Sequence, residues 1–278
     1  MMLGEGRLQL GRSRECFRKR VLLPVAGAGA CARMVVCRLI AIRDARLACE
    51  GALRRPWERG LMDPSDFHYY EPSKGHGLRH NPFNAIVAPR PIGWISSRNA
   101  AGQLNLAPYS FFNAFLYDPP IIGFSSISWK DTVSNVSETR EFVWNLVTMD
   151  LGERMNATAA PLDHGVSEFE AAGLTPIPGR HVAVPRVGES RAAMECKVVD
   201  VSQLANARGE KVEGWFVLGE VVAVYIDKSL IEDGVYNTAL ARPILRAGRG
   251  GDYLEVRTEN MFEMKRPPGS SKPEFHGT

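Results

Sequence analysis

Ser125-Ser126-Ile127-Ser128-Trp129-Lys130-Asp131-Thr132, with Asn135 following, gathers hydroxyl groups around a single lysine. Hydroxyls donate to anionic oxygens, and an ammonium adds a full positive charge. The run Pro120-Ile121-Ile122-Gly123-Phe124 just before it reads as a buried strand, and the segment after it reads as a helix. The first turn of a helix has unpaired N–H groups and carries the positive end of the helix dipole, both of which favour an anion. The chemistry indicated is phosphate binding where a strand gives way to a helix. Ser128 with Asp131 three residues on is a capping-box pattern, which places the helix start at Ser128.

Asn105-Leu106-Ala107-Pro108-Tyr109-Ser110 is a second candidate. Pro108 has no N–H for a ladder, so the strand is expected to stop pairing or to bulge there. Freed backbone groups could then meet ligand heteroatoms, although a plain edge strand fits the same pattern. Tyr109, Phe111, Phe112 and Phe115, with Trp94 and Phe124, read either as core or as walls for a flat ligand. Other motifs carry less. Gly27-Ala28-Gly29-Ala30-Cys31-Ala32 has the G-x-G-x-x-A form, but Pro24 interrupts the strand that must precede it and no βα alternation follows. His68, His76 and His80 lie in a Pro/Gly-rich arm without Cys or carboxylate partners, so no metal site is expected there. A G-x-S-x-G elbow is absent, which leaves nucleophilic hydrolysis unsupported.

The elements that must position these residues begin at Phe83. Phe83–Val87 and Ile92–Ser97 read as strands, and Leu104–Ser110 pairs with the latter across the turn Asn99-Ala100-Ala101-Gly102. The strand ending at Phe124, the helix after Ser128 and a strand over Phe142–Val147 follow. Residues 151–173 read as two helical pieces split by Pro161 and Gly165, the first capped by Asp150. Ala192–Val201 and Gly214–Ile226 are long strands, rich in β-branched and aromatic residues. Many strands with few helices between them predict an antiparallel barrel with peripheral helices.

Composition sets the limits. The 278-residue chain carries a net charge of +3, and 45% of it is hydrophobic. Residues 1–61 hold twelve Arg and one Lys against five acidic residues, so the remainder is mildly acidic and no nucleic-acid footprint is expected there. Arg18-Lys19-Arg20 before the apolar run Val21–Ala32 has the layout of a secretory signal, but the segment's lack of periodicity and its excess of Arg over Lys fit better an upstream extension ahead of a start at Met62. Cys16, Cys31, Cys37 and Cys49 belong to that segment, which leaves Cys196 as a packing residue in a reducing compartment. With no apolar run long enough to span a bilayer, no membrane association is expected. The organisation is therefore a basic extension over 1–61, an irregular arm over 62–82, a folded domain over 83–258 and a flexible tail over 259–278.

Arg90-Pro91-Ile92-Gly93-Trp94-Ile95-Ser96, Asn105–Asn113, Lys130-Asp131-Thr132 with Asn135, Met155–Pro161 and Phe169–Thr175 together resemble the flavin reductase-like family with the FMN-binding split barrel. That family includes flavoredoxin and the reductase components of two-component monooxygenases. The resemblance runs from Leu78 to Arg257 and implies a mainly β fold, a Greek-key antiparallel split barrel that forms a homodimer and holds FMN near the subunit interface. It implies a flavin phosphate at Ser126, Lys130 and Thr132, with Ser125, Asp131 and Asn135 beside it. The isoalloxazine would lie against Asn105, Leu106, Ala107, Pro108, Tyr109 and Ser110, and Tyr253 more loosely near it. The implied activity is hydride transfer from NADH or NADPH to flavin N5, with reduced flavin or electrons passed to an acceptor such as a monooxygenase partner. No acid–base side chain is needed, and backbone N–H groups of the Asn105–Ser110 break would stabilise charge on the reduced ring. The alternative is an FMN-binding electron carrier or sensor without NAD(P)H turnover. A cytoplasmic location is expected.

Overall fold

A computed structural model describes residues 64–162, 166–265 and 267. The basic extension with its G-x-G-x-x-A match, Gly165, His164 and the tail beyond 267 lie outside the described residues. The chain divides into units 1–69 and 70–278. Of the first, the described part holds a 3-10 turn at Pro64–Asp66. The second holds the sheet and the helices that flank it.

Its elements in chain order are α1 (Phe83–Ile86), β1 (Gly93–Arg98), β2 (Leu104–Tyr109), β3 (Phe112–Tyr117), β4 (Pro120–Ser126), α2 (Asp131–Thr139) and β5 (Glu141–Asn145). Then come α3 (Gly152–Ala157), α4 (Glu168–Ala171), β6 (Pro176–Ile177), β7 (Arg186–Val187), β8 (Ala192–Ala205) and β9 (Lys211–Ile226). The chain closes with β10 (Ile231–Glu232), β11 (Val235–Tyr236), α5 (Thr238–Ala241), β12 (Ile244–Arg246) and β13 (Tyr253–Glu255).

Seven strands form one antiparallel sheet in the order β2-β1-β5-β8-β9-β4-β3. Its spine is the β8–β9 hairpin, whose β-branched residues suit a pleated, half-buried surface. Gly209, at φ +81°, makes the hairpin turn, and the Asn206 carboxamide oxygen accepts from the N–H groups of Arg208 and Glu210. The sheet curls until β2 and β4, which share no ladder, meet through side chains. The Tyr109 and Phe124 rings lie 4.6 Å apart, and Phe124 packs edge-on against Phe142 at 5.7 Å. Around them Ile95, Ile122, Val136, Cys196, Val198, Val217 and Val221 complete one core. Each fully buried Phe or Ile side chain contributes about 1.5–3 kcal/mol, so apolar contact closes the barrel where β2 and β4 share no ladder. A second core, with Trp94, Leu106, Leu151, Met155 and Phe169, lies under α3 and α4.

Several expectations are corrected. Phe83–Val87 is the helical turn α1 rather than a strand: Ala85 and Ile86 both donate to the Pro82 carbonyl. The run is too short and too exposed to sustain a ladder. Asp150 caps no helix; it accepts from the Thr148 hydroxyl at 2.6 Å, and Thr148 precedes the 3-10 turn Met149–Leu151. The strand does not break at Pro108. β2 pairs with β1 without a bulge, Trp94 opposite Pro108, because β2 is the sheet's edge and a residue facing outward needs no ladder donor. The aromatic residues are split between the two cores rather than walling one face: Trp94 and Phe124 are fully buried in different clusters, while Phe115 is exposed on β3.

Candidate functional site

β4 ends at Ser126, and α2 begins at Asp131. Lys130 is the N-cap residue, in extended conformation (φ −110°, ψ 170°), and its side chain makes no cap hydrogen bond. The predicted cap at Ser128 is therefore corrected. Ser128 lies two residues ahead of the N-cap, and its carbonyl accepts from the Ser126 hydroxyl at 2.7 Å, which fixes the turn. Among the described residues no side chain caps the first-turn N–H groups of α2, which leaves them available to an anion. Lys130 is exposed and makes no ion pair among the described residues.

Behind this turn lies a buried polar layer. The Asn105 amide donates to Thr132 Oγ1 at 2.8 Å and to Ser97 Oγ at 3.2 Å, and the Asn135 amide donates to Ser97 Oγ at 3.2 Å. All four residues are at least nine-tenths buried. β1, β2 and α2 are thereby tied together, with Thr132 held in place on the first turn of the helix. Tyr109 projects from β2 into the same layer with 8% of its surface exposed. Its hydroxyl sits among the hydroxyls of Thr132 and Ser126 and makes no hydrogen bond of acceptable geometry among the described residues. Burial pushes the phenol's pKa up; the Thr132 and Ser126 hydroxyls oppose that rise, and the charges of Asp131 and Glu168 add to it. A buried hydroxyl without a partner costs about 1–3 kcal/mol. Such a group is explained when an acceptor completes the site.

The donors assembled here are the Thr132 and Tyr109 hydroxyls, the first-turn N–H groups and the Lys130 ammonium; the Ser126 hydroxyl beside them is engaged with the Ser128 carbonyl. They suit a ligand presenting several anionic oxygens, such as a phosphate monoester. Beside them, a cleft of about 620 Å³ shares Asn105, Asp131 and Asn135, and among its other lining residues are the carboxylates Glu138, Glu168 and Glu170. That many carboxylates make the cleft unfavourable for a phosphate and leave the turn as the better setting for an anion.

Of the residues expected at the site, Asn105, Tyr109, Ser126, Thr132 and Asn135 converge, with Lys130 and Asp131 at the helix start. Ser125 is half-buried, and its N–H donates to the Phe111 carbonyl at 2.8 Å. The Leu106 side chain is fully buried in the second core, and its N–H donates to a Glu168 carboxylate oxygen at 3.0 Å. Alternation along the strand puts Pro108 on the same outward edge. The supposed free donors of Asn105–Ser110 are thus reduced: one is engaged and one does not exist. Ala107, Pro108 and Ser110 are half-buried. Two contributors went unread in the sequence. Ser97, fully buried, accepts both amides, and Glu168 covers the strand edge; burial raises its carboxyl pKa, against the Leu106 N–H that lowers it. The pair Ser96-Ser97 directly after Trp94-Ile95 in one strand was the available signal for Ser97.

Comparison with known proteins bears on this geometry. The model of the flavin reductase like domain matches residues 87–243. An uncharacterized protein of Halalkalibacterium halodurans is 36% identical over 193 residues, covering 68% of this chain and 90% of that protein. The structure of nitrilotriacetate monooxygenase component B from Bacillus cereus is 29% identical, with a TM-score of 0.62 over 73% of this chain and 98% of that one. A split-barrel-domain protein from Shewanella frigidimarina superposes with a TM-score of 0.58 at 24% identity, over 77% and 97% of the two chains, and shows the shared fold.

Proposed function

The chain belongs to the flavin reductase-like family and has its split-barrel fold, and from that premise we propose that it binds FMN and acts as an NAD(P)H-dependent flavin reductase. The observation that carries the proposal is the unpaired Tyr109 hydroxyl beside Thr132 and Ser126 at the uncapped start of α2. In this reading Lys130, Thr132 and Tyr109 hold the flavin phosphate, and Ser126 joins them by turning its hydroxyl away from the Ser128 carbonyl. Asn105 and Asn135 act behind them, keeping Thr132 aimed through Ser97. The outward edge of β2 from Ala107 to Ser110 is offered to the ring, and residues 83–258 form the flavin domain. The chemistry that FMN supplies when bound is acceptance of hydride from NADH or NADPH and onward delivery of electrons. The chain's contribution is binding, orientation and charge placement, with no side chain required to move a proton.

The likeness to a monooxygenase component B supports delivery of electrons to a second component. β3 supports a homodimer: it is an edge strand, yet Phe115, Leu116 and Tyr117 are 53%, 50% and 77% exposed. An edge this apolar invites cover by another chain. The test mixes purified full-length protein with FMN and NADH or NADPH and follows the nicotinamide absorbance. Oxidation dependent on both protein and FMN is expected. Tight FMN binding with no oxidation of either nucleotide would favour a carrier instead.

A further inference from the structure

Glu168 stands where β2 turns its edge outward, and its position is fixed from two sides. Behind it, Phe169 is buried in the second core, and the Ser167 hydroxyl caps α4 by accepting from the Phe169 N–H at 3.3 Å. In front, one carboxylate oxygen accepts from the Leu106 N–H at 3.0 Å. A charge is thereby held at a set point on an edge strand. Covering an edge needs only an acceptor, and a neutral amide would hold the Leu106 N–H as well. The charge itself is left without a structural purpose.

Nothing offsets that charge. Glu168 makes no ion pair among the described residues, and the described residues lining its cleft include no Lys, Arg or His. Asp131, Glu138 and Glu170 line the same cleft with the same sign. Along β2 the Leu106 N–H is taken and Pro108 has no N–H, so at these two positions the edge offers carbonyl oxygens alone. Carbonyl oxygens carry partial negative charge and add to the field rather than cancel it. The field reaches the neighbouring side chains. Burial raises the Glu168 pKa and the Asp131 charge adds to the rise; burial likewise raises the Tyr109 phenol, and the Glu168 charge adds there.

We infer that Glu168 sets the reduction potential of the bound flavin and holds it low. This rests on the reading that the FMN ring lies on the outward edge of β2 from Ala107 to Ser110. A strand rises about 3.4 Å per residue, so the Glu168 contact at Leu106 lies about 7 Å along that edge from Pro108. Charges at such a separation still interact appreciably inside a protein. Reduction adds negative charge to the ring, and a fixed, uncompensated carboxylate beside it opposes that addition. The reduced form is thereby destabilised relative to the oxidised one, which makes the bound flavin a stronger electron donor.

The experiment measures the two-electron midpoint potential of FMN bound to the full-length protein at pH 8, by dithionite titration against a reference dye. Wild type is compared with Glu168→Gln, Glu168→Asp and Glu138→Gln. Glu168→Gln keeps an acceptor for the Leu106 N–H and removes the charge. It should bind reduced FMN about tenfold more tightly relative to oxidised FMN, which is a rise of about 30 mV for a two-electron couple. Glu168→Asp keeps the charge and should stay near wild type. Glu138 lines the same cleft but accepts from the Ala100 N–H at 3.2 Å, at the β1–β2 turn, so Glu138→Gln should leave the potential unmoved. Equal potentials in wild type and Glu168→Gln, or an equal rise in Glu168→Asp or Glu138→Gln, would each overturn the inference while FMN binding stands. Wild type that takes up no FMN would defeat the flavin reading itself, and the inference with it.

Discussion

Replacing Tyr109 with Phe separates two energies of opposite sign. The ring stays, and with it the packing against Phe124 at 4.6 Å; only the hydroxyl goes. In the FMN-free protein that hydroxyl is buried without a partner, so its removal returns a desolvation cost of about 1–3 kcal/mol. The variant without ligand should therefore be more stable than wild type. Each kcal/mol raises Tm by about 2–4 °C in a domain of this size. With FMN present the same hydroxyl donates to a charged phosphate, a contact worth about 1.5–3 kcal/mol. Its loss should weaken FMN binding by roughly 10- to 150-fold. The assay is thermal or urea unfolding of the FMN-free protein, paired with titration of FMN fluorescence. A ligand-free variant no more stable than wild type would show that the hydroxyl is already satisfied. Unchanged FMN affinity would show that it faces no ligand. Either result breaks the reasoning that assigns the site.

Two further predictions concern the scaffold. A Cβ on Gly219 would run into the Phe142 ring in the sealed core, so Gly219→Ala should destabilise by about 1–3 kcal/mol, read as a lower urea midpoint; an unchanged midpoint would mean that this core can give way. Glu195 is fully buried on β8. Burial pushes its carboxyl pKa up, but the Tyr225 hydroxyl and the N–H groups of Arg180 (2.7 Å), His181 (2.6 Å) and Val182 (3.1 Å) outweigh that and hold it below the ordinary value of 4.5. A depressed carboxylate stabilises the fold fully above its unfolded pKa, and that contribution is lost as pH falls through its folded one. Glu195→Gln should thus be less stable than wild type at pH 7, and the gap should narrow as pH drops below about 4.5. Urea midpoints at pH 7, 5 and 3 check this, and a constant gap would contradict it.

The parts of the fold legible in the sequence were those written in local pattern. Ala192–Val201 and Gly214–Ile226 lie within β8 and β9 because β-branched runs of that length have little alternative to a strand. The Asn99–Gly102 turn marked the β1–β2 hairpin for the same reason. Pro108 misled because a missing N–H matters only on a paired edge, and which strand is the edge depends on the order of the whole sheet. β3 went unread: Phe112–Tyr117 follows β2 almost without a turn, and five of its six residues are exposed, so it lacks the alternation of a half-buried strand. At the site, the charge and hydroxyls around Lys130 could be read directly. The inward turn of Asn105 and Asn135 toward Ser97 could not, since it joins residues 8 and 38 positions apart.

The central claim is that a phosphate is held where β4 passes into α2. Calorimetric titration of FMN against riboflavin, which differ only in that phosphate, tests it most directly in wild type and in Lys130→Ala/Thr132→Val. The expected result is a large preference of wild type for FMN, on the order of 10²-fold or more from two charge-assisted contacts, that collapses in the double variant. Equal affinity of wild type for the two flavins, or a preference that survives in the double variant, would contradict the account.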